Sequence, residues 1–174
     1  MKNMSRYFFI AVVILYYNLR VDAMDIEKTK HKIEQYLSSQ KGVFAIVFKD
    51  LTNPDNIILI NENEIFHAAS TMKTAVMCEI MNRVDKGILS LNDSVLIKNE
   101  FKSIVDGSSF SMDLGRDSGE KFYDLIGQKA SIYDLMVDMI INSSNLATNI
   151  LIEIVGATKV TALMRQIGAN NIQV

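Results

Sequence analysis

The chain has 174 residues, 49% of them hydrophobic and 22% charged, with a single proline and a formal net charge of −2. That balance excludes a disordered or fibrous chain and suits one domain of ordinary size. It also lacks the excess of basic residues that a nucleic-acid partner requires.

Residues 1–23 read as an export signal. Lys2 and Arg6 precede an almost wholly apolar run, Tyr7 to Leu19, and Val21-Asp22-Ala23 fits a small-residue cleavage site with Met24 as the first mature residue. The run is short for a membrane-spanning helix, which needs about 20 apolar residues, and Arg20 and Asp22 end it. An uncleaved anchor is the alternative. The expectation is a periplasmic or secreted protein, with residues 24–174 as the mature part and no stable membrane anchor after cleavage. Cleavage leaves 15 basic and 19 acidic residues, a net charge of −4. Cys78 is the only cysteine, so no internal disulfide forms despite export.

A charged amphipathic helix follows the signal, carrying His31 between Lys30 and Lys32 and ending near Ser38. A β-hairpin is expected next, Val43 to Leu51 and Asn56 to Asn61, joined by the turn residues Thr52-Asn53-Pro54-Asp55. Two strands alone are marginal in water, and Phe44, Ile46, Phe48, Ile57 and Leu59 would be poorly covered.

Ser70 and Lys73 stand one helical turn apart at the head of a long apolar helix, Thr71 to Lys86, which Gly87 stops. Residues three apart share a helix face, so the lysine amine can sit beside the serine hydroxyl. Burial lowers a lysine's pKa and makes it a usable base, and a serine needs such a base to become a nucleophile. The Ser-x-x-Lys spacing also occurs at Ser38–Lys41 and Ser118–Lys121, but only Ser70 opens an apolar helix. A capping serine followed by a surface lysine is the structural alternative. Cys78, inside the same helix, reads as a packing thiol. His67 is a second candidate base, although triad partners usually come from separate segments and no Gly-x-Ser-x-Gly elbow is present.

Glu100 to Gln128 is the most polar, glycine-bearing stretch and reads as a long excursion bordering the site. Phe110 and Tyr123 would there be either aromatic walls or local packing residues. A helix starting after Ser131 carries Ile132, Leu135, Met136, Met139 and Ile140 on one face, with Ser131 and Asp134 as a capping pair. Another carries Leu146, Ile150, Leu151 and Ile154 and ends at Gly156. Between them lies Asn142-Ser143-Ser144-Asn145, a polar loop on a rigid support or simply a helix–helix turn. Two histidines and one cysteine assemble no convincing metal cluster, which argues against a zinc-dependent hydrolase.

Taken together, these segments resemble the penicillin-recognising serine hydrolases, most closely the class A β-lactamases, from about Asp25 to the last residue. Ser70-x-x-Lys73 matches the family's nucleophile motif, Ser143-Ser144-Asn145 its Ser-Asp-Asn motif, and Asn149 a further asparagine in the following helix. The turn at Gly87 to Asp93 and the Gly-Ala-Asn at Gly168 to Asn170 fit the same pattern. The resemblance implies a fold of the α/β class, α+β in type: one antiparallel sheet flanked by helices, with a helical subdomain beside it. It implies catalytic Ser70, Lys73 and Ser143, substrate-binding Asn145, a β-lactam as small-molecule partner, and no cofactor or metal. Ser144 stands where the family usually has an aspartate that supports the loop, so loop geometry is the point of departure. The chain ends at Val174, before the family's water-activating glutamate and Lys-Thr-Gly strand. The expectation is therefore the N-terminal portion of a longer domain, truncated at its C-terminus, inactive by itself and monomeric at full length. The same acylation residues serve penicillin-binding D-Ala-D-Ala carboxypeptidases and transpeptidases, which are the runner-up. A non-catalytic sensor module and a helical domain with chance motifs are the remaining alternatives.

Overall fold

A computed structural model describes residues 25–103 and 105–174. The export-signal segment therefore lies outside the described residues. The chain divides into two compact units, one ending at Phe66 and the other spanning His67–Val174.

In the first unit, helix α1 (Ile26–Ser38) starts where Asp25 accepts the Lys28 N–H at 3.0 Å, an N-cap that satisfies one of the helix's free donors. It packs on the hairpin of β1 (Ile46–Lys49) and β2 (Ile57–Ile60), which are antiparallel with Val47 opposite Leu59. The strands are shorter than the expected Val43–Leu51 and Asn56–Asn61. Asp50 ends the first by turning its carboxylate onto Thr52 and Asn53, which draws the backbone into the turn. Ile58 is buried, while Val47, Phe48 and Ile57 stay exposed.

The second unit is built on helices. A 3-10 turn (Ala69–Thr71) leads into α2 (Met72–Asp85). The α-helix thus begins at Met72, one residue later than expected, and Gly87 follows it at φ +67° in the left-handed region that suits a helix stop. Strands β3 (Ser94–Leu96) and β6 (Lys129–Ser131) pair antiparallel and clip the base of the polar excursion, while β4 (Phe101–Lys102) and β5 (Ser109–Phe110) pinch it. Then come α3 (Ile132–Ile141), α4 (Asn145–Val155) and α5 (Ala157–Gln166). Ser131 accepts the Asp134 N–H and donates to its carboxylate, as the capping pair requires. Gly156, at φ +78°, separates α4 from α5.

α2 packs against α3, α4 and α5. The core between them is Val76, Ile80, Leu135, Met139, Leu146, Ile150, Leu151 and Val160, all buried. Each fully buried Leu or Ile side chain contributes about 1.5–3 kcal/mol, so α2 and the start of α4 are held as one rigid support. Arg83 ties them further: Nε meets Glu79 Oε1 at 2.8 Å, while Nη1 and Nη2 donate to the Ile154 and Val155 carbonyls at the end of α4. Among the described residues, no single helix is long and apolar enough to cross a membrane.

Candidate active site

All four expected site residues lie in the second unit, and they meet. Lys73 is the second residue of α2 and is only 4% exposed. Its Nζ donates to Ser143 Oγ at 3.0 Å, to Asn145 Oδ1 at 2.9 Å and to the Ser143 carbonyl. Ser143 Oγ in turn donates to Ser70 Oγ at 2.9 Å. The lysine thus reaches the serine through a second hydroxyl rather than by the side-by-side contact that i, i+3 spacing suggested. Ser70 lies in the 3-10 turn ahead of the α-helix, and the Ser143 carbonyl and Asn145 Oδ1 hold the Lys73 amine toward the loop instead.

Ser70 is exposed, and no side-chain cap bond is made at the start of α2. Its hydroxyl is engaged with Ser143 instead, against the capping-serine alternative. Its surroundings hold strained backbone: Ala69 sits at φ +45° and Ser143 at φ +57°. Such conformations cost roughly 1–3 kcal/mol each and persist where the surrounding structure enforces them, often at functional sites. His67 is not part of the chain of hydroxyls; its Nδ1 accepts the Ala69 N–H at 3.1 Å and shapes the turn. The other Ser-x-x-Lys matches fall elsewhere, Ser38 at the end of α1 and Ser118 in a loop.

Burial pushes the Lys73 amine below its ordinary value, and the Asp117 carboxylate partly offsets this. Asp117 is the residue that sequence reasoning missed. Its Oδ1 accepts the Asn145 N–H at 2.7 Å and its Oδ2 the Leu146 N–H at 2.8 Å. Tyr123 donates to Oδ2 at 2.9 Å, and the Gly119 N–H to Oδ1 at 3.2 Å. Burial alone would raise Asp117, but these four donors hold it below the usual carboxylate range. Burial, together with the same contact, pushes the Tyr123 hydroxyl well above its ordinary value. Tyr123 is therefore a support. Phe110, 5.6 Å from Phe101 between ring centroids, walls an apolar cleft of about 660 Å³ that also takes in Met72 and Asn149.

Ser144, where the loop departs from the expected motif, is fully buried and caps α4 by accepting the Ala147 N–H at 3.2 Å. Its N–H donates to the Asp138 carbonyl at 3.3 Å. Gly119 lies against it so closely that a Cβ there would come within 2.9 Å of Ser144 Cβ, Ser144 Oγ and Asp138 Oδ2. The loop is braced without an aspartate of its own because a neighbouring segment brings one. Asn149, one turn into α4, donates to the Asn145 carbonyl at 2.9 Å. Cys78 is half-buried against the core. Among the described residues, no group of three or more His, Cys, Asp or Glu is placed to hold a metal ion.

Comparison with known proteins places this geometry. A β-lactamase from Xanthomonas campestris pv. campestris superposes with a TM-score of 0.70 at 22% identity, over 87% of this chain and 52% of that one. PBP-A superposes with a TM-score of 0.68 at 21% identity, over 83% and 51%, and an ancestral class A β-lactamase with 0.67 at 20% identity, again over 83% and 51%. A mutant PBP-A, described as an acyl-enzyme complex with penicillin G, matches with a TM-score of 0.64 at 19% identity, over 85% and 52%. The fold is thus that of the β-lactamases, and the chain spans about half the length of the solved structures it matches. Curated proteins give no significant match. The model of the Beta-lactamase enzyme family matches residues 28–174, and the chain belongs to that family.

Proposed function

We propose that this protein is an exported serine hydrolase that opens β-lactam rings through an acyl-enzyme on Ser70. The observation that carries the reading is the hydrogen-bonded series from buried Lys73 through Ser143 to exposed Ser70. Burial favours the neutral amine, the form that can accept a proton. In the acylation step, Ser70 Oγ bonds to the lactam carbonyl carbon. With Lys73 neutral, both hydroxyl protons turn toward its lone pair, so the Ser70 proton passes to Ser143 Oγ as the Ser143 proton passes to Lys73 Nζ. The Ser70 backbone N–H, within the 3-10 turn, serves as one donor to the oxyanion. When the carbon–nitrogen bond breaks, the proton returns from Lys73 through Ser143 to the leaving nitrogen. Lys73 holds Asn145 Oδ1, which leaves Asn145 Nδ2 to donate to the carbonyl of the substrate's side-chain amide.

Export rests on the pattern of Lys2, Arg6, the apolar run and Val21-Asp22-Ala23. It puts the enzyme in the periplasm or medium, where it would protect the cell from β-lactam antibiotics. The test is hydrolysis of a chromogenic cephalosporin by the protein produced from its own gene, beside a Ser70→Ala variant. Sustained turnover that vanishes in the variant supports the reading, and turnover that survives Ser70→Ala overturns it. The likeness to PBP-A supports a second reading, a peptidoglycan carboxypeptidase or transpeptidase. One equivalent of product followed by slow release, again dependent on Ser70, would favour that one.

A further inference from the structure

We propose that Asp117 is a positioning residue for acylation: its carboxylate clamps the first two N–H groups of α4 and carries the negative charge opposite Lys73, so the polar excursion holds the Ser143–Asn145 loop in its working geometry. The inference rests on the Ser70 acyl-enzyme reading. It stands on a contact across 28 residues of sequence, from Asp117 Oδ1 to the Asn145 N–H, and its companion from Oδ2 to the Leu146 N–H. Asn145 links the two groups, donating its N–H to Asp117 while its Oδ1 accepts from Lys73 Nζ.

The excursion is built around this clamp. Gly119 returns its own N–H to Asp117 and, lacking a Cβ, lets the segment lie against Ser144 and Asp138. Tyr123 adds the fourth donor. A carboxylate suits the first turn of a helix, where it answers free N–H groups and the positive end of the dipole. Ser144 cannot supply that charge, so a chain with serine at the middle of the loop needs it from elsewhere.

The consequence extends to protonation. The Asp117 charge favours the ammonium form of Lys73 against burial. The titratable groups around the pair are Tyr123 on Asp117, Asp113 near Tyr123, Asp138 beside Gly119, and Glu79 on the lysine's own helix, paired with Arg83. Only Asp117 contacts the loop that binds Lys73 through two main-chain N–H groups. Removing its charge while keeping its shape should therefore make Lys73 easier to deprotonate.

The experiment is the acylation rate of the protein from its own gene by a fluorescent penicillin, measured across pH for wild type, Asp117→Asn and Asp117→Glu. In Asp117→Asn the amide's NH2 faces an N–H, so one clamp bond is lost. The plateau rate should fall about tenfold or more, and the acid limb should move to lower pH. Asp117→Glu keeps the charge, so its limb should stay in place and its rate fall between the other two. A purely structural residue would lower the plateau without moving the limb, and that result in Asp117→Asn overturns the proposal. If Asp117→Asn does not fold, Asp117→Ser, which also removes the charge, is read by the same criterion: a lower plateau with the limb moved to lower pH supports the role, and an unmoved limb overturns it. A wild type that takes no label defeats the β-lactam reading itself, whereas a labelled wild type with an unaltered Asp117→Asn profile defeats only the role of Asp117.

Discussion

Gly119→Ala is a one-carbon test of how the excursion meets the catalytic loop. The added Cβ would lie 2.4 Å from Ser144 Cβ, 2.8 Å from Ser144 Oγ and 2.9 Å from Asp138 Oδ2. Neither neighbour can give way cheaply. Ser144 is fully buried and caps α4, and Asp138 is buried at the end of α3 with its other oxygen held by Asn142 at 2.7 Å. Overpacking of this kind costs about 1–3 kcal/mol. For a chain of this size that is a loss of roughly 2–12 °C in Tm, at 2–4 °C per kcal/mol. Ser144→Gly removes two of the three close atoms, leaving Asp138 Oδ2, and costs little as a cap, since glycine is only a few tenths of a kcal/mol worse there. In a double-mutant cycle by thermal denaturation, the pair should therefore lose less than the two single losses combined. A Gly119→Ala variant that melts with the wild type would refute the close approach and the brace that depends on it.

Lys73→Ala should slow penicillin acylation by ~10²–10⁴, the usual effect of removing a general base, read from the rate of fluorescent labelling. The same variant should melt a few degrees lower, because the Ser143 carbonyl and Asn145 Oδ1 both lose their donor. Arg83→Met should destabilise by about 3 kcal/mol in denaturant titration, since it leaves the Glu79 carboxylate buried without its cation and held only by Asn82, and Glu79→Gln in the same chain should recover part of that loss. The depressed Asp117 carboxyl should stabilise the fold fully above about pH 4, where the unfolded chain's aspartates are ionised. That contribution should disappear as pH falls toward the folded-state value, so Tm measured between pH 5 and 2 should drop more steeply in wild type than in Asp117→Asn.

The elements with periodic patterns were legible in the sequence. Leu135, Met139, Leu146 and Ile150 repeat at helical spacing and are buried, and Ser131 with Asp134 and Gly156 mark helix ends where chain composition says they should fall. The candidate site residues were legible as motif members, and Ser70, Lys73, Ser143 and Asn145 do converge. What carries no periodic signature was not legible. The Asp117 clamp is a long-range contact between a loop and a helix start, and a lone Asp before Ser-Gly looks like any turn residue. The bridging position of Ser143 follows from its left-handed backbone and from the 3-10 turn under Ser70, both set by packing rather than by residue type. The first strand stops at Lys49 because the Asp50 carboxylate draws the Thr52 and Asn53 N–H groups into the turn, an interaction that propensity does not count.

The most direct test of the central claim is peptide-mapped mass spectrometry of the protein after brief exposure to penicillin. The account predicts the mass of one ligand on the peptide that carries Ser70, lost in Ser70→Ala and formed much more slowly in Lys73→Ala. A stable adduct on another side chain, or no adduct in a folded protein that is stable to the treatment, would contradict it.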